Sequence, residues 1–276
     1  MKAMIFAAGL GTRLKPLTDN MPKALVEVCG KTLLQRQIEE LQAAGFNEIV
    51  VNIHHFAQMI RDYLAANDNF GADIYLSDES DELRDTGGGV RHASALLDDG
   101  EPFLVHNVDI LSDIDLNDLY DHHLSQAISD DTPLATIVVS PRRTARYFLF
   151  DRECNLVGWM NENTGEVKTP YKELAKTAVN CMKRGDGGGN ECCFDVDKFL
   201  SVTNLSKYAF AGMHVMSPYI LSLMQGWPER FSIVDFYLQN CDKFNIRAYI
   251  KDNLKLVDVG KLSTLHEAEL FVDRAE

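Results

Sequence analysis

A short apolar run that breaks into a glycine-bearing turn constrains this chain more than any other stretch. Ala3-Met4-Ile5-Phe6-Ala7 is a continuous apolar segment of the kind that makes a buried strand. It stops at Gly9-Leu10-Gly11-Thr12-Arg13. Glycine permits backbone angles closed to other residues and lets a ligand approach main-chain N–H groups closely. A strand feeding such a turn is a common cradle for phosphate. Arg13, Lys15 and Lys23 then set three cations within eleven residues, in a chain whose formal net charge is −14.

Two phosphate motifs are excluded at once. The dinucleotide fingerprint G-x-G-x-x-G needs glycine where Leu14 stands, and a P-loop ending at Gly30-Lys31-Thr32 needs glycine where Leu25 stands. What fits is G-x-G-T-R-L-x-P-L-T from Gly9 to Thr18, followed by Pro22-Lys23-Ala24-Leu25. This resembles the signature of the sugar-1-phosphate nucleotidyltransferases. The resemblance implies an α/β fold, a Rossmann-like three-layer α/β/α sandwich on a mostly parallel mixed sheet. It also implies an enzyme that takes a nucleoside triphosphate and a sugar 1-phosphate.

Composition narrows the alternatives. At 276 residues and 46% hydrophobic content, the chain can bury one large core and is not disordered. The acidic balance argues against a nucleic-acid surface. It also means that an anionic substrate needs a local patch of cations or a metal ion. The six cysteines lack CxxC spacing, and neither a signal peptide nor a long apolar span is present, which reads as cytoplasmic, reduced and not membrane-bound.

Along the chain, strands and helices alternate. Thr32 to Ala44 reads as an amphipathic helix with Leu33, Leu34, Ile38 and Leu41 on one face, Thr32 as N-cap and Gly45 as stop. Glu48 to Ile53 is strand-like, Phe56 to Leu64 helical, and Ala72 to Leu76 a strand again. Such alternation implies a mostly parallel sheet covered on both faces. Thr86-Gly87-Gly88-Gly89 is expected as a loop ahead of a helix from Val90 to Leu97. Phe103 to His106 is a strand ending in Asn107-Val108-Asp109, and a carboxylate at a strand's carboxyl end sits where open α/β sheets bind ligands. Further strands are expected at 134–140, 147–151, 156–160, 208–215, 246–251 and 254–257, with a closing helix from Thr264 to Arg274. Ser232 with Asp235 reads as a capping box. Residues 164–207, with their glycine run at 185–189 and the pair Cys192-Cys193, read as a flexible insertion in a single domain and as a candidate lid or dimer contact. A homo-oligomer stays open.

The resemblance also assigns roles. Arg13 would hold the departing pyrophosphate, and Lys23 the α-phosphate and the incoming phosphate. Backbone groups of Ala8, Gly9, Gly11 and Thr12 would bind the nucleotide phosphates, and Gly88 the base. Asp109 and Asp258, the latter in an aspartate-x-glycine turn, would hold Mg²⁺. Glu162 and Asp235 would face the sugar. Val108 departs from the glycine usual in the family before the first metal carboxylate. Within the family the chain looks most like the N-acetylmuramate-1-phosphate uridylyltransferases. Mannose- and heptose-1-phosphate guanylyltransferases and choline-phosphate cytidylyltransferases share the core. A catalytically silent regulatory subunit that binds nucleotide sugars is the non-enzyme alternative.

Overall fold

The computed structural model describes residues 1–126, 132–184 and 192–274. From the N-terminus come β1 (Lys2–Phe6), the short pair β2 (Glu27–Val28) and β3 (Lys31–Thr32), α1 (Leu33–Ala43), β4 (Glu48–Ile53) and α2 (Ala57–Ala66). Next are β5 (Asp73–Asp78), α3 (Asp85–His92), α4 (Ser94–Leu97), β6 (Phe103–Asn107), β7 (Ile110–Ser112) and α5 (Leu116–Gln126). The second half supplies β8 (Ala135–Ser140), β9 (Arg146–Phe150), β10 (Leu156–Asn161), β11 (Glu166–Lys168), α6 (Lys172–Asn180), β12 (Met182–Arg184) and β13 (Cys192–Phe194). It closes with α7 (Val196–Thr203), β14 (Ser206–Met216), α8 (Tyr219–Met224), α9 (Ile233–Asn240), β15 (Ile246–Ile250), β16 (Leu256–Asp258) and α10 (Leu265–Asp273).

The main sheet runs β11-β10-β9-β14-β6-β1-β4-β5, with β8 joined to β14 and β15 to β8. Its N-terminal half is parallel: β1 lies between β4 and β6, and β5 follows β4. β14 enters antiparallel to β6 and then forks, its first residues pairing with β9 and the rest with β8.

Side-chain alternation makes three layers of this sheet. On β1, Ala3 and Ile5 enter one core and Met4 the other; on β4, Ile49 and Val51 join the first and Val50 the second. The first core is closed by Leu33, Leu34 and Ile38 of α1, Ile60 of α2, Leu119 of α5 and Ala268 of α10. The second is closed by Val90 of α3, Ile220 of α8 and Phe236 and Tyr237 of α9. The Rossmann-like three-layer α/β/α fold is therefore present, with the antiparallel share of its mixed sheet gathered around and beyond β14. No helix among the described residues is long and apolar enough to cross a membrane.

A third, smaller core joins Tyr147, Leu149 and Met160 to Ala178 and Phe199. It joins the stretch read as an insertion to the main sheet, with α6 and α7 of that stretch packed on β9 and β10. On α6, Leu174, Ala178 and the following Cys181 recur at four and three residues, the spacing of one helical face. The glycine run 185–189 lies outside the described residues.

Candidate active site

The carboxyl ends of β1, β4 and β6 meet where the sheet order runs to either side of β1. The chain leaving β1 is caught there by a side chain of the neighbouring strand. Asn52 Oδ1 accepts from the N–H of Ala7 at 2.7 Å and of Ala8 at 3.2 Å. The N–H of Ala8, expected to face phosphate, is thus already engaged. Gly11 then turns with φ 63°, and a Cβ there would meet Thr18 Cγ2 at 3.0 Å and Lys23 Cβ at 3.1 Å. Both the backbone angle and the space require glycine. Thr18 Oγ1 donates to Gly11 O at 2.8 Å and closes the loop onto the following turn.

Lys23 follows Pro22 and lies almost wholly buried. Its Nζ donates to Asp109 Oδ2, an ion pair between residues far apart in sequence. Asp109 stands just beyond β6, and Val108 before it is buried with its N–H on Phe6 O at 3.2 Å. The carbonyl of Asp109 accepts from Val259 N–H at 2.8 Å, and β16 pairs with β7 so that Asp258 lies opposite Ile110. Strand pairing thus brings the two expected metal carboxylates to adjacent positions. Asp258 is exposed, and a Cβ on Gly260 would lie 2.6 Å from Asp258 Oδ1 and 2.8 Å from Arg13 Nη2. Glycine in that turn makes room for Arg13 beside the carboxylate.

Two cavities flank this junction. One, of about 370 Å³, is lined by Ala8, Gly9, Lys23, Asp109, Asn52 and Glu79, with Leu83, Asp85, Thr86 and Arg230 on its far side. The other, of about 800 Å³, holds Arg13, Arg142, Arg143, Arg146 and Lys261 around Asp258, with Phe148, Trp159 and Phe210 as apolar walls. Arg142 Nη2 donates to Phe210 O at 2.7 Å, and desolvation lowers its pKa against the pull of Asp258. Beneath the junction His106 is fully buried, donating from Nδ1 to Asn107 O at 2.8 Å, and burial lowers its pKa to about 4. It is a neutral packing group rather than a base.

Among the described residues no three His, Cys, Asp or Glu side chains cluster as a ready-made metal cage. Asp109 and Asp258 are hard oxygen donors, and Mg²⁺ is commonly held by one or two carboxylates with substrate phosphates filling the rest. The pair fits that ion.

Three expected positions sit elsewhere. Gly88 is not on the first cavity, and the triple glycine is not a loop but the opening of α3. Its N–H and that of Gly87 both go to Phe231 O, at 3.1 and 2.9 Å. A Cβ on Gly87 would lie 2.3 Å from the Phe231 ring, and one on Gly88 2.2 Å from Glu229 O. Glycine is needed here for close packing, and the cavity wall falls to Leu83, Asp85 and Thr86 instead. Glu162, beyond β10, ion-pairs with Lys207, which lies over the Tyr147 ring at 4.9 Å. Asp235 turns to Lys168 at 3.6 Å, and the cap of α9 is Ser232 Oγ accepting from Val234 N–H at 3.2 Å. Neither acidic side chain lines the two cavities.

Other cavity residues escaped the sequence reading. Asn52 lies near the carboxyl end of β4, as Asp109 lies just past that of β6, and that position was a usable signal. The basic run Arg142-Arg143-x-x-Arg146 in an acidic chain was another. Glu79 and Arg230 carry no local signature.

Comparisons with known proteins bear on the family and the fold. N-acetylmuramate alpha-1-phosphate uridylyltransferase of Caulobacter vibrioides is 48% identical over 109 residues, covering 39% of this chain and 45% of the relative. Its counterpart in Neisseria meningitidis serogroup B is 46% identical over 115 residues, covering 42% and 49%. The matched region therefore spans about half the length of these relatives. Among solved structures, a UDP-glucose pyrophosphorylase complexed with UDP-glucose superposes with TM-score 0.68 at 17% identity, covering 100% of both chains. The inositol-1-phosphate CTP transferase of T. maritima gives 0.66 at 16%, covering 100% of this chain and 96% of that one. At such identities these two speak for the fold alone. The family model described as nucleotidyl transferase matches residues 2–148, just over half of the sequence and including the turn, Lys23 and Asp109, so the chain belongs to the nucleotidyl transferase family.

Proposed function

We propose that this chain transfers a nucleotidyl group from a nucleoside triphosphate to a sugar 1-phosphate, releasing pyrophosphate. UTP and N-acetylmuramate 1-phosphate are the substrate pair that the Caulobacter and Neisseria relatives suggest. The observation that carries the reading is Lys23 held against Asp109 beyond the glycine turn, on the wall of the 370 Å³ cavity. An ammonium fixed beside a carboxylate at that place suits a centre where phosphate charge must be met on both sides.

A sugar phosphate has a second pKa of about 6 and is largely dianionic at neutral pH, so it attacks without help from a protein base. The buried neutral His106 is consistent with that. The difficulty is setting one anion against another, and fixed cations answer it. Lys23 would hold the α-phosphate and the incoming oxygen, and Arg13 the departing pyrophosphate. Gly9 to Thr12 would offer backbone N–H groups. Asp109 and Asp258 would hold Mg²⁺, which when bound neutralises phosphate charge and keeps the attacking and leaving oxygens in line. The 370 Å³ cavity would take the nucleoside and the larger one the sugar. A cytoplasmic enzyme, where both substrates are available, accords with this reading.

Pyrophosphate release across a panel of triphosphates and sugar phosphates tests it. Release with UTP and N-acetylmuramate 1-phosphate is expected. Release only with GTP and mannose or heptose 1-phosphate, or with CTP and choline phosphate, would move the substrate within the family. Tight nucleotide-sugar binding with no release from any pair would identify a silent regulatory subunit instead.

A further inference from the structure

Among the described residues Lys23 and Asp109 are each other's only ion-pair partner, and both side chains are largely buried. The backbone beneath Lys23 is fixed. Pro22 precedes it, its carbonyl accepts from Val26 N–H at 3.0 Å, and its Cβ closes on the Gly11 turn. Only the flexible side-chain stem is left to turn, so the ammonium can change partner without the loop changing shape. The neighbouring carboxylates on the cavity wall are already engaged. Glu79 accepts from Asn52 Nδ2 and from Arg84 N–H, and Asp85 accepts from Thr86 N–H at 2.6 Å.

Asp109 is therefore asked to serve two cations. It is a candidate ligand for Mg²⁺, yet the Lys23 ammonium is seated on its Oδ2. An ammonium and a divalent ion on one carboxylate repel each other, and more strongly where water is scarce. Moving the lysine off without offering it another anion leaves a buried charge unmatched, which is costly. A phosphate group in the 370 Å³ cavity, which Lys23 also lines, supplies that anion. We propose, on the metal and phosphate roles given above, that Lys23 competes with the divalent ion for Asp109 and yields it when nucleotide phosphate arrives. The ion pair thus makes the protein alone a poor metal binder. It also couples metal to nucleotide, and such coupling is reciprocal, typically about 5–150-fold.

Mn²⁺ serves as the probe, because electron paramagnetic resonance counts the free ion without any turnover. Lys23→Met keeps the length of the side chain and removes its charge. It is expected to bind Mn²⁺ at least about tenfold tighter than the unaltered protein when no nucleotide is added. Adding Asp109→Asn to that variant should cancel the gain. Lys15→Met removes an equal charge from the same loop, where Lys15 pairs with Asp19 at 3.2 Å, and should leave Mn²⁺ affinity unchanged. No gain in Lys23→Met overturns the proposal, as does an equal gain in Lys15→Met. If Lys23→Met does not fold, melting temperatures of the unaltered protein decide. Mn²⁺ and UMP together should then raise the midpoint by more than the sum of their separate shifts, and additive shifts overturn the proposal. Mn²⁺ binding that is lost in Asp109→Asn but not gained in Lys23→Met strikes the competition alone. Mn²⁺ binding indifferent to Asp109→Asn strikes the metal assignment beneath it.

Discussion

Asn52 Nδ2 donates to Glu79 Oε1 at 2.8 Å, and both side chains are shut away from water. This one bond fixes which way the Asn52 amide faces, so its oxygen is turned to the N–H groups of Ala7 and Ala8. The other Glu79 oxygen accepts from Arg84 N–H at 3.1 Å. A buried carboxylate thus ties the glycine turn to the wall opposite.

Glu79→Gln removes one of two acceptors and sets an NH₂ against the Arg84 N–H. Leaving a buried donor unmet costs about 1–3 kcal/mol, so the denaturation midpoint should fall by that equivalent. Asn52→Ala should cost at least as much, because three buried partners lose their bond. Unchanged midpoints in both would show that the tie has no consequence for stability.

Lys23→Ala should lower kcat far more than it weakens triphosphate binding. An interaction that strengthens as the bond at phosphorus changes is lost from the barrier alone. Removing a well-placed charge of this kind costs roughly 3 kcal/mol, on the order of a hundredfold in rate. Lys23→Arg should rescue poorly, since its site is nearly closed and a planar fork does not replace a compact ammonium. A raised KM with unchanged kcat would make Lys23 a binding residue only.

Asp109→Asn and Asp258→Asn should each nearly abolish pyrophosphate release while circular dichroism stays native. Chelation of divalent cations should do the same to the unaltered protein, and added magnesium should restore it. Full activity in chelator, or in either variant, would remove the two carboxylates from the reaction.

Burial lowers the pKa of His106 and His123 to about 4 and that of His214 to about 3. In the unfolded chain the same imidazoles take up protons near pH 6.5, at about their ordinary pKa. The unfolded state therefore binds more protons as pH falls through that value, and stability falls with it. Glu40, raised to about 7 by burial, opposes them as a single group between about pH 4.5 and 7. Three against one leaves a net of about two protons, or roughly 3 kcal/mol per pH unit at the steepest. Melting temperature should be flat just above pH 7 and drop steeply from pH 6 to 5. A curve level over that range would show these histidines accessible to protons in the native state.

Gly88→Ala places a methyl group 2.2 Å from the Glu229 carbonyl, which cannot yield without moving the segment behind it. Overpacking of this kind costs about 1–3 kcal/mol. The variant should lose stability and also nucleotide affinity, because Arg230 on that segment lines the first cavity. Lost stability with unaltered affinity would separate the packing from the cavity wall.

The first strand, its turn and Asp109 were legible because each follows from local pattern: an apolar run, a glycine that permits φ 63°, a carboxylate at a strand's end. α3 was misread for a physical reason. Glycine is among the poorest helix formers, so three in a row read as a loop, and only Phe231, Glu229 and Glu79 pressing on them explain a helix. The same limit hid Asn52 and Glu79, whose work is a contact between strand β4 and the residue just past β5 that neither segment announces by itself. α6 and α7 escaped because each is short and the stretch around them is rich in glycine and polar residues.

The pairing of β16 with β7 also sets a schedule for the nascent chain. The ribosome finishes the glycine turn, Lys23 and Asp109 about 150 residues before it reaches Asp258. Until β16 has left the exit tunnel, the carboxylate proposed as the second metal ligand is absent, and with it Val259, Ala268 and Val272, which belong to the first core. On that proposal, early termination removes the metal site and weakens the fold together.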